Sequence, residues 1–225
     1  MTGPHGDRWR LADRRLYLCT PDRSDLERFV GRCIAGGVDV VQLREKHLGD
    51  ADLVARAALV QRVCAAEEVP FVLNDRPDLA AAMGADGVHV GQDDGSAGSA
   101  RSVVGPDAIV GLSTHASAEL SAAAGDAPGT VPEPVDYLSA GPVVPTPTKP
   151  GHPGTGPGYL AEAVARSPWP VWVTGGVDPE SVGGLVEAGA RHFVVVRWLV
   201  GADDPLAAAR TLRSVIDRSV GEAGG

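Results

Sequence analysis

Charged, hydroxyl and amide side chains gather at a few places in this chain, each directly after a short apolar run. Gln42-Leu43-Arg44-Glu45-Lys46 follows the second run, Asn74-Asp75-Arg76 the third, His89-Val90-Gly91-Gln92-Asp93-Asp94 the fourth, and Ser113-Thr114-His115 the fifth. The sixth run leads to Thr146, Thr148 and Lys149, the seventh to Gly175-Gly176, and the eighth to Val196-Arg197. Arg44, Lys46 and Lys149 are cationic donors of the kind that hold a diphosphate. Asp75 and Asp94 offer hard oxygen ligands, and Mg²⁺ typically takes one or two carboxylates together with substrate phosphates and water. Gly175-Gly176 and the turn at Val196-Arg197 suit a phosphate cradle made of backbone N–H groups. The pattern suggests two anionic groups, one bound through a metal and one held by backbone.

These residues need a scaffold that brings distant chain segments to one place. Eight short apolar runs, at 16–19, 38–43, 70–73, 87–90, 109–112, 136–139, 171–173 and 193–196, alternate with longer Ala- and Leu-rich stretches. Most runs are near-continuous Val, Ile or Leu, as expected of parallel strands buried on both faces. The intervening stretches are long enough for the crossover helices that parallel strands require. Ser24 and Glu27 are spaced as a capping box, Gly36-Gly37 is a stop, and Asp178-Pro179 places a capping acid before a first-turn proline. The expected fold is α/β, a single (β/α)8 barrel over 15–220, with tails at 1–14 and 221–225. An open doubly wound sheet is the lesser alternative. In a barrel the polar clusters above would all lie at the C-terminal ends of strands. Alternation along the second strand would send Gln42, Arg44 and Lys46 to one side, away from Leu43 and Glu45.

Composition narrows the function classes. With 20 Lys and Arg against 29 Asp and Glu, the net charge of −9 argues against a nucleic-acid partner. Cys19, Cys33 and Cys64 form no CxxC pair and read as small buried residues of a reducing compartment. The N-terminal stretch has no apolar core of the secretory type, and no run approaches the ~18–20 residues that span a bilayer. A cytoplasmic protein with small-molecule substrates is therefore expected; homo-oligomerisation stays open. The Gly/Pro segment 125–134 reads as a tolerated insertion, whereas the Pro-rich segment 141–158 reads as an active-site loop overhanging the strand ends.

Five of these blocks, in order and spacing, resemble the signature blocks of bacterial thiamine-phosphate synthases. They are Gln42-Leu43-Arg44-Glu45-Lys46, Asn74-Asp75-Arg76, the run from Gly87 to Asp94, Pro145-Thr146-Pro147-Thr148-Lys149 and Thr174-Gly175-Gly176-Val177. The resemblance implies that Gln42, Arg44, Glu45, Lys46, Asn74, Ser113 and Lys149 hold a hydroxymethylpyrimidine diphosphate. Lys149, Arg44 and Ser113 would serve the chemical step. Asp75 and Asp94 would carry Mg²⁺, and Thr146, Thr148, Gly176, Val196 and Arg197 would hold a thiazole phosphate. Family members often carry a serine at the position of Arg197, with its backbone amide on the phosphate. Diphosphate departure from the pyrimidine, followed by attack of the thiazole nitrogen, is the implied reaction.

Several residues carry competing readings. Arg44 and Lys46 could form a solvated rim, Asp75 could cap the helix beginning at Pro77, and Asp93 competes with Asp94 for the metal. His89 is balanced between a core residue and a substrate contact. His115 reads as a structural or capping residue, His152 as solvated, and Trp169 and Trp172 as packing. Two other functions compete: a thiazole tautomerase using His115, and an inactive phosphate-sensing barrel.

Overall fold

The computed structural model describes residues 9–126, 128–145 and 153–224. Eight parallel strands close on themselves in sequence order, each paired with its two chain neighbours and β8 returning to β1. They are β1 (Leu16–Thr20), β2 (Val40–Leu43), β3 (Phe71–Asn74), β4 (Gly87–Val90), β5 (Ile109–Thr114), β6 (Tyr137–Ala140), β7 (Val171–Val173) and β8 (His192–Val195). The outer ring consists of α1 (Leu26–Ala35), α2 (Asp50–Ala66), α3 (Pro77–Met83), α4 (Ala97–Val104), α5 (Ser117–Ala124), α6 (Gly156–Arg166), α7 (Val182–Glu187), α8 (Arg197–Val200) and α9 (Pro205–Glu222). The (β/α)8 barrel expected from the apolar runs is the observed fold, and the open sheet is not.

Two apolar layers follow from strand alternation. Leu16, Leu18, Val41, Leu43, Leu73, Val110, Leu138 and Phe193 point outward and pack under the helices. Tyr17, Cys19, Val40, Val72, Ile109, Tyr137, Trp172 and Val194 fill the interior. Both faces are therefore largely apolar, and the inward polar residues Gln42, Asn74, His89 and Ser113 stand where the strands reach the cavity. The interior is closed by aromatic rings: Tyr17 meets Trp172 edge-on at 5.3 Å between centroids and Tyr137 at 6.0 Å. Gly111 lies beneath Tyr137, and a methyl group there would collide with the phenol ring. The glycine on β5 thus makes room for the tyrosine on β6, its direct partner in register.

Several boundaries differ from the sequence expectation. A 3₁₀ turn at Leu11–Asp13 lies inside the span expected as a tail, and Leu11 is buried against the barrel interior beside Trp9. At the other end α9 continues to Glu222. The strand expected at 38–43 begins at Val40, because the Asp39 carboxylate accepts from the N–H groups of Arg15 and Leu16, both at 2.9 Å. The capping box at Ser24/Glu27 does not form. Asp25 occupies the N-cap without a side-chain cap bond, its carboxylate taken by Arg23 and Arg28. Asp178 does not cap α7 either: its Oδ1 accepts from the N–H groups of Glu180 and Ser181 in a turn that precedes the helix, leaving Pro179 outside it and Ser181 at the N-cap. No helix among the described residues is long and apolar enough to cross a membrane.

Candidate active site at the barrel mouth

The C-terminal ends of the strands surround a cavity of about 810 Å³. Gln42, Arg44 and Lys46 line it from the end of β2, as alternation requires. Glu45 does not line it; its carboxylate accepts from the His47 N–H at 2.8 Å. β3 contributes Asn74 and Asp75, β4 contributes His89 and the following Gln92, Asp93 and Asp94, and β5 contributes Ser113 and then His115. The far side is built by Gly175 and Gly176 after β7, and by Val196, Arg197 and Trp198 after β8. Thr146, Thr148, Lys149 and His152 lie outside the described residues.

The cationic wall is partly uncommitted. Among the described residues neither Arg44 nor Arg197 has a carboxylate partner, although both line the cavity. Lys46 sits between two acids, with Nζ 2.7 Å from Oδ2 of Asp75 and 3.9 Å from Oδ1 of Asp94. Burial pushes the Asp75 carboxyl up; the Lys46 ammonium opposes that rise and nearby Asp94 adds to it. Asp75 adopts φ +61°, a left-handed conformation that acidic and amide residues tolerate better than most. Its N–H donates to the His89 carbonyl at 2.8 Å, which ties the ends of β3 and β4 together. Asp94 also accepts from the Gly91 N–H at 3.2 Å, while Asp93 lines the cavity too.

Deeper in the cavity the polar groups are buried. Gln42 Nε2 and Asn74 Nδ2 have no hydrogen-bond partner among the described residues. Buried orphan donors of this kind are rare in folded proteins, and a ligand that accepts from them relieves the deficit. His89 is buried, bonded through Nδ1 to the Tyr137 hydroxyl and through Nε2 to Ser113 Oγ, each at 2.9 Å. His115 is held on the wall by Glu119, whose Oε2 lies 3.0 Å from Nδ1 and accepts from the His115 N–H at 2.7 Å. On the opposite rim, Gly175 and Gly176 have φ +89° and +79°, and Cβ atoms there would strike Pro142 and Val144. Glycine is thus required twice over at this turn.

Comparison with known proteins bears on the same residues. A family profile described as thiamine monophosphate synthase matches residues 16–199. The thiamine-phosphate synthase of Mycobacterium sp. (strain JLS) is 43% identical over 92% of this chain and 94% of its own length. The chain belongs to the thiamine monophosphate synthase family. The Thermobifida fusca thiamine-phosphate synthase is likewise 43% identical over 92% of this chain and 94% of its own. Among solved structures, the thiamine phosphate pyrophosphorylase of Pyrococcus furiosus superposes with a TM-score of 0.81. It is 25% identical and covers 92% of this chain and 96% of that one. A 3-hexulose-6-phosphate synthase, at 20% identity and TM-score 0.63 over 89% of this chain and 99% of that one, shares the fold.

The span matched to the thiamine monophosphate synthase family contains every site residue expected from sequence. Sequence reasoning passed over Tyr17, Cys19, Tyr137 and Ser139, all of which line the cavity. The signal was available in their parity. Tyr137 and Ser139 share the inward face of β6, and Ser139 is level with Ser113 on β5. What could not be read locally was how far up the barrel each inward residue would stand.

Proposed function

We propose that this protein condenses 4-amino-2-methyl-5-(diphosphooxymethyl)pyrimidine with 4-methyl-5-(2-phosphooxyethyl)thiazole, releasing diphosphate and forming thiamine phosphate. Membership of the thiamine monophosphate synthase family supports this reading. The observation that carries it is the shared mouth of the barrel. Arg44 and Lys46 stand there with Asp75 and Asp94, across from the Gly175-Gly176 and Val196-Arg197 turns. One cavity thus offers two separate places for anions, matching a diphosphate and a phosphate on two different molecules.

Asp75 and Asp94 fit Mg²⁺. They bring hard oxygen donors close enough to approach a single Lys46 ammonium, and two carboxylates are the usual protein share for this ion. When bound, Mg²⁺ supplies positive charge to diphosphate oxygens. Arg44 and Lys46, with Lys149 from the 141–158 loop, hold the leaving diphosphate and stabilise the charge it acquires. Gln42, Asn74 and Ser113 hold the aminopyrimidine. As the carbon–oxygen bond breaks, the ring's electrons stabilise a methylene cation, and the thiazole nitrogen then attacks that carbon. Gly176, Val196 and Arg197, with Thr146 and Thr148, orient the thiazole through its phosphate. Catalysis on this reading is electrostatic stabilisation plus positioning, with little acid–base work.

The reading places the protein in the cytoplasm with small molecules as its partners. The deciding experiment supplies both substrates to the purified protein, with Mg²⁺ or with a chelator. Metal-dependent diphosphate release with stoichiometric thiamine phosphate is the expected result. Binding of both substrates without any release would overturn the assignment.

A further inference from the structure

Four side chains form an unbroken line of hydrogen bonds from the barrel interior to the cavity. The Tyr17 hydroxyl lies 3.0 Å from that of Tyr137, Tyr137 Oη lies 2.9 Å from His89 Nδ1, and His89 Nε2 lies 2.9 Å from Ser113 Oγ. All four residues are buried, with the Tyr17 end only 2% exposed. The reaction outlined above uses Ser113 alone, so the other three need an explanation.

Counting protons gives the line a direction. Each hydroxyl carries one proton and a neutral imidazole carries one, so two self-consistent orientations exist. If Ser113 donates to Nε2, then Nδ1–H donates to Tyr137 and Tyr137 donates to Tyr17. The Tyr17 proton then has no acceptor among the described residues, on a side chain only 2% exposed and packed in the apolar cluster at the floor of the cavity it borders. A buried donor left unsatisfied is strongly disfavoured. In the opposite orientation Tyr17 donates to Tyr137, Tyr137 donates to Nδ1, and Nε2–H donates to Ser113 Oγ. Every internal donor then has an acceptor, and the remaining proton, that of Ser113, is available to the cavity that Ser113 lines. The space for this line is set by Gly111, without which the Tyr137 ring could not lie where it does.

We propose that His89 is a positioning residue. As the Nε2–H tautomer, it fixes Ser113 as a hydrogen-bond donor toward an acceptor ring nitrogen of the heteroaromatic substrate. The substrate half rests on the functional reading above, since an aminopyrimidine offers such a nitrogen. The tautomer half rests on the geometry alone.

Two measurements test the halves separately. Long-range ¹H–¹⁵N correlation spectra of the wild-type protein with labelled histidine, assigned against His89→Gln, should show His89 protonated at Nε2. Protonation at Nδ1 overturns the proposed direction. Steady-state kinetics then compare His89→Ala, Ser113→Ala and the double variant. Each single change should lower kcat on the order of 100-fold, as for loss of one oriented donor. The double variant should be no slower than Ser113→Ala, and His89→Gln, whose amide can donate to Ser113, should recover much of the loss. Multiplying losses in the double variant, or a rise only in the KM for thiazole phosphate, overturns the positioning role. A wild-type protein that releases no diphosphate overturns the functional reading and with it the substrate half, while the imidazole spectrum still decides the tautomer.

Discussion

Lys46 and Asp75 meet across the ends of β2 and β3, Nζ to Oδ2 at 2.7 Å. The pair joins a cation suited to diphosphate with a carboxylate suited to a divalent ion, and Asp94 approaches the same ammonium at 3.9 Å. Lys46 is 43% exposed, so the contact adds little to stability. Its value lies in keeping two neighbouring carboxylates compatible at the cavity wall. Asp75→Asn keeps the shape and tolerates the left-handed backbone while removing a ligand charge. On the proposed function, the Mg²⁺ concentration giving half-maximal diphosphate release should rise at least about tenfold, and turnover should fall on the order of 100-fold. A Mg²⁺ titration of the purified variant checks both.

Arg44 after β2 and Arg197 after β8 line different parts of the cavity, neither with a carboxylate partner among the described residues, so their effects should separate by substrate. Arg44→Ala should raise the KM for the pyrimidine diphosphate and lower kcat, each on the order of tenfold or more. Arg197→Ala should raise the KM for the thiazole phosphate by about tenfold and leave kcat nearly unchanged, because uniform binding does not alter the chemical step. Steady-state kinetics with each substrate varied in turn measure the split. An unchanged KM in the Arg197 variant would leave the phosphate to the backbone amides.

On the proposed function Lys149 acts on the leaving group. Lys149→Ala should therefore depress turnover far more than thiazole-phosphate affinity, by on the order of 100-fold against less than about threefold. Single-turnover rates and equilibrium binding of the thiazole phosphate provide the comparison. Equal loss of both would count against the assignment.

Gly111→Ala places a methyl group under the Tyr137 ring. Overpacking of this kind should lower stability by about 1–3 kcal/mol and disturb the bond from Tyr137 to His89. Urea unfolding midpoints measure the first effect. Adding Tyr137→Leu, which removes the ring, should return part of the stability without restoring activity.

His192 supplies a pH test of the fold. Its Nδ1 lies 2.6 Å from the Arg14 carbonyl and its ring is tilted against Trp172 at 5.0 Å. Burial pulls its pKa down to about 4. An unfolded histidine takes its proton near pH 6.5, so between those values the unfolded chain binds more protons than the folded one. This contribution to stability is present above about pH 6.5 and lost as pH falls toward about 4, amounting to about 3 kcal/mol at most. Denaturant midpoints for wild type and His192→Gln across that window should show a flatter acid limb in the variant.

The eight apolar runs were enough to count the strands and to place Gln42, Asp75, His89, Ser113 and Gly176 at strand ends. Hydrophobic periodicity is local, and a strand buried on both faces leaves a continuous apolar signature in any fold of this class. The same local rule correctly sent Arg44 and Lys46 toward the cavity and Glu45 away from it. Side-chain competition was not legible. Asp25 is claimed by two arginines instead of completing a cap, and Asp39 delays the start of its strand by accepting from the N–H groups of Arg15 and Leu16. Nor could the sequence show that Leu11 belongs to the barrel interior, since its partners arrive from strands far along the chain.

Parity along a strand tells which residues face inward, and that much the sequence determined for Tyr17, His89, Ser113 and Tyr137. Whether they touch depends on the stagger between strands and on the space left by Gly111, and both exist only once the barrel closes. Closure brings hydroxyls 120 residues apart in sequence to within 3.0 Å and links them to a serine at the cavity wall. The tertiary structure decided that contact because a hydrogen bond requires an approach that no local pattern encodes.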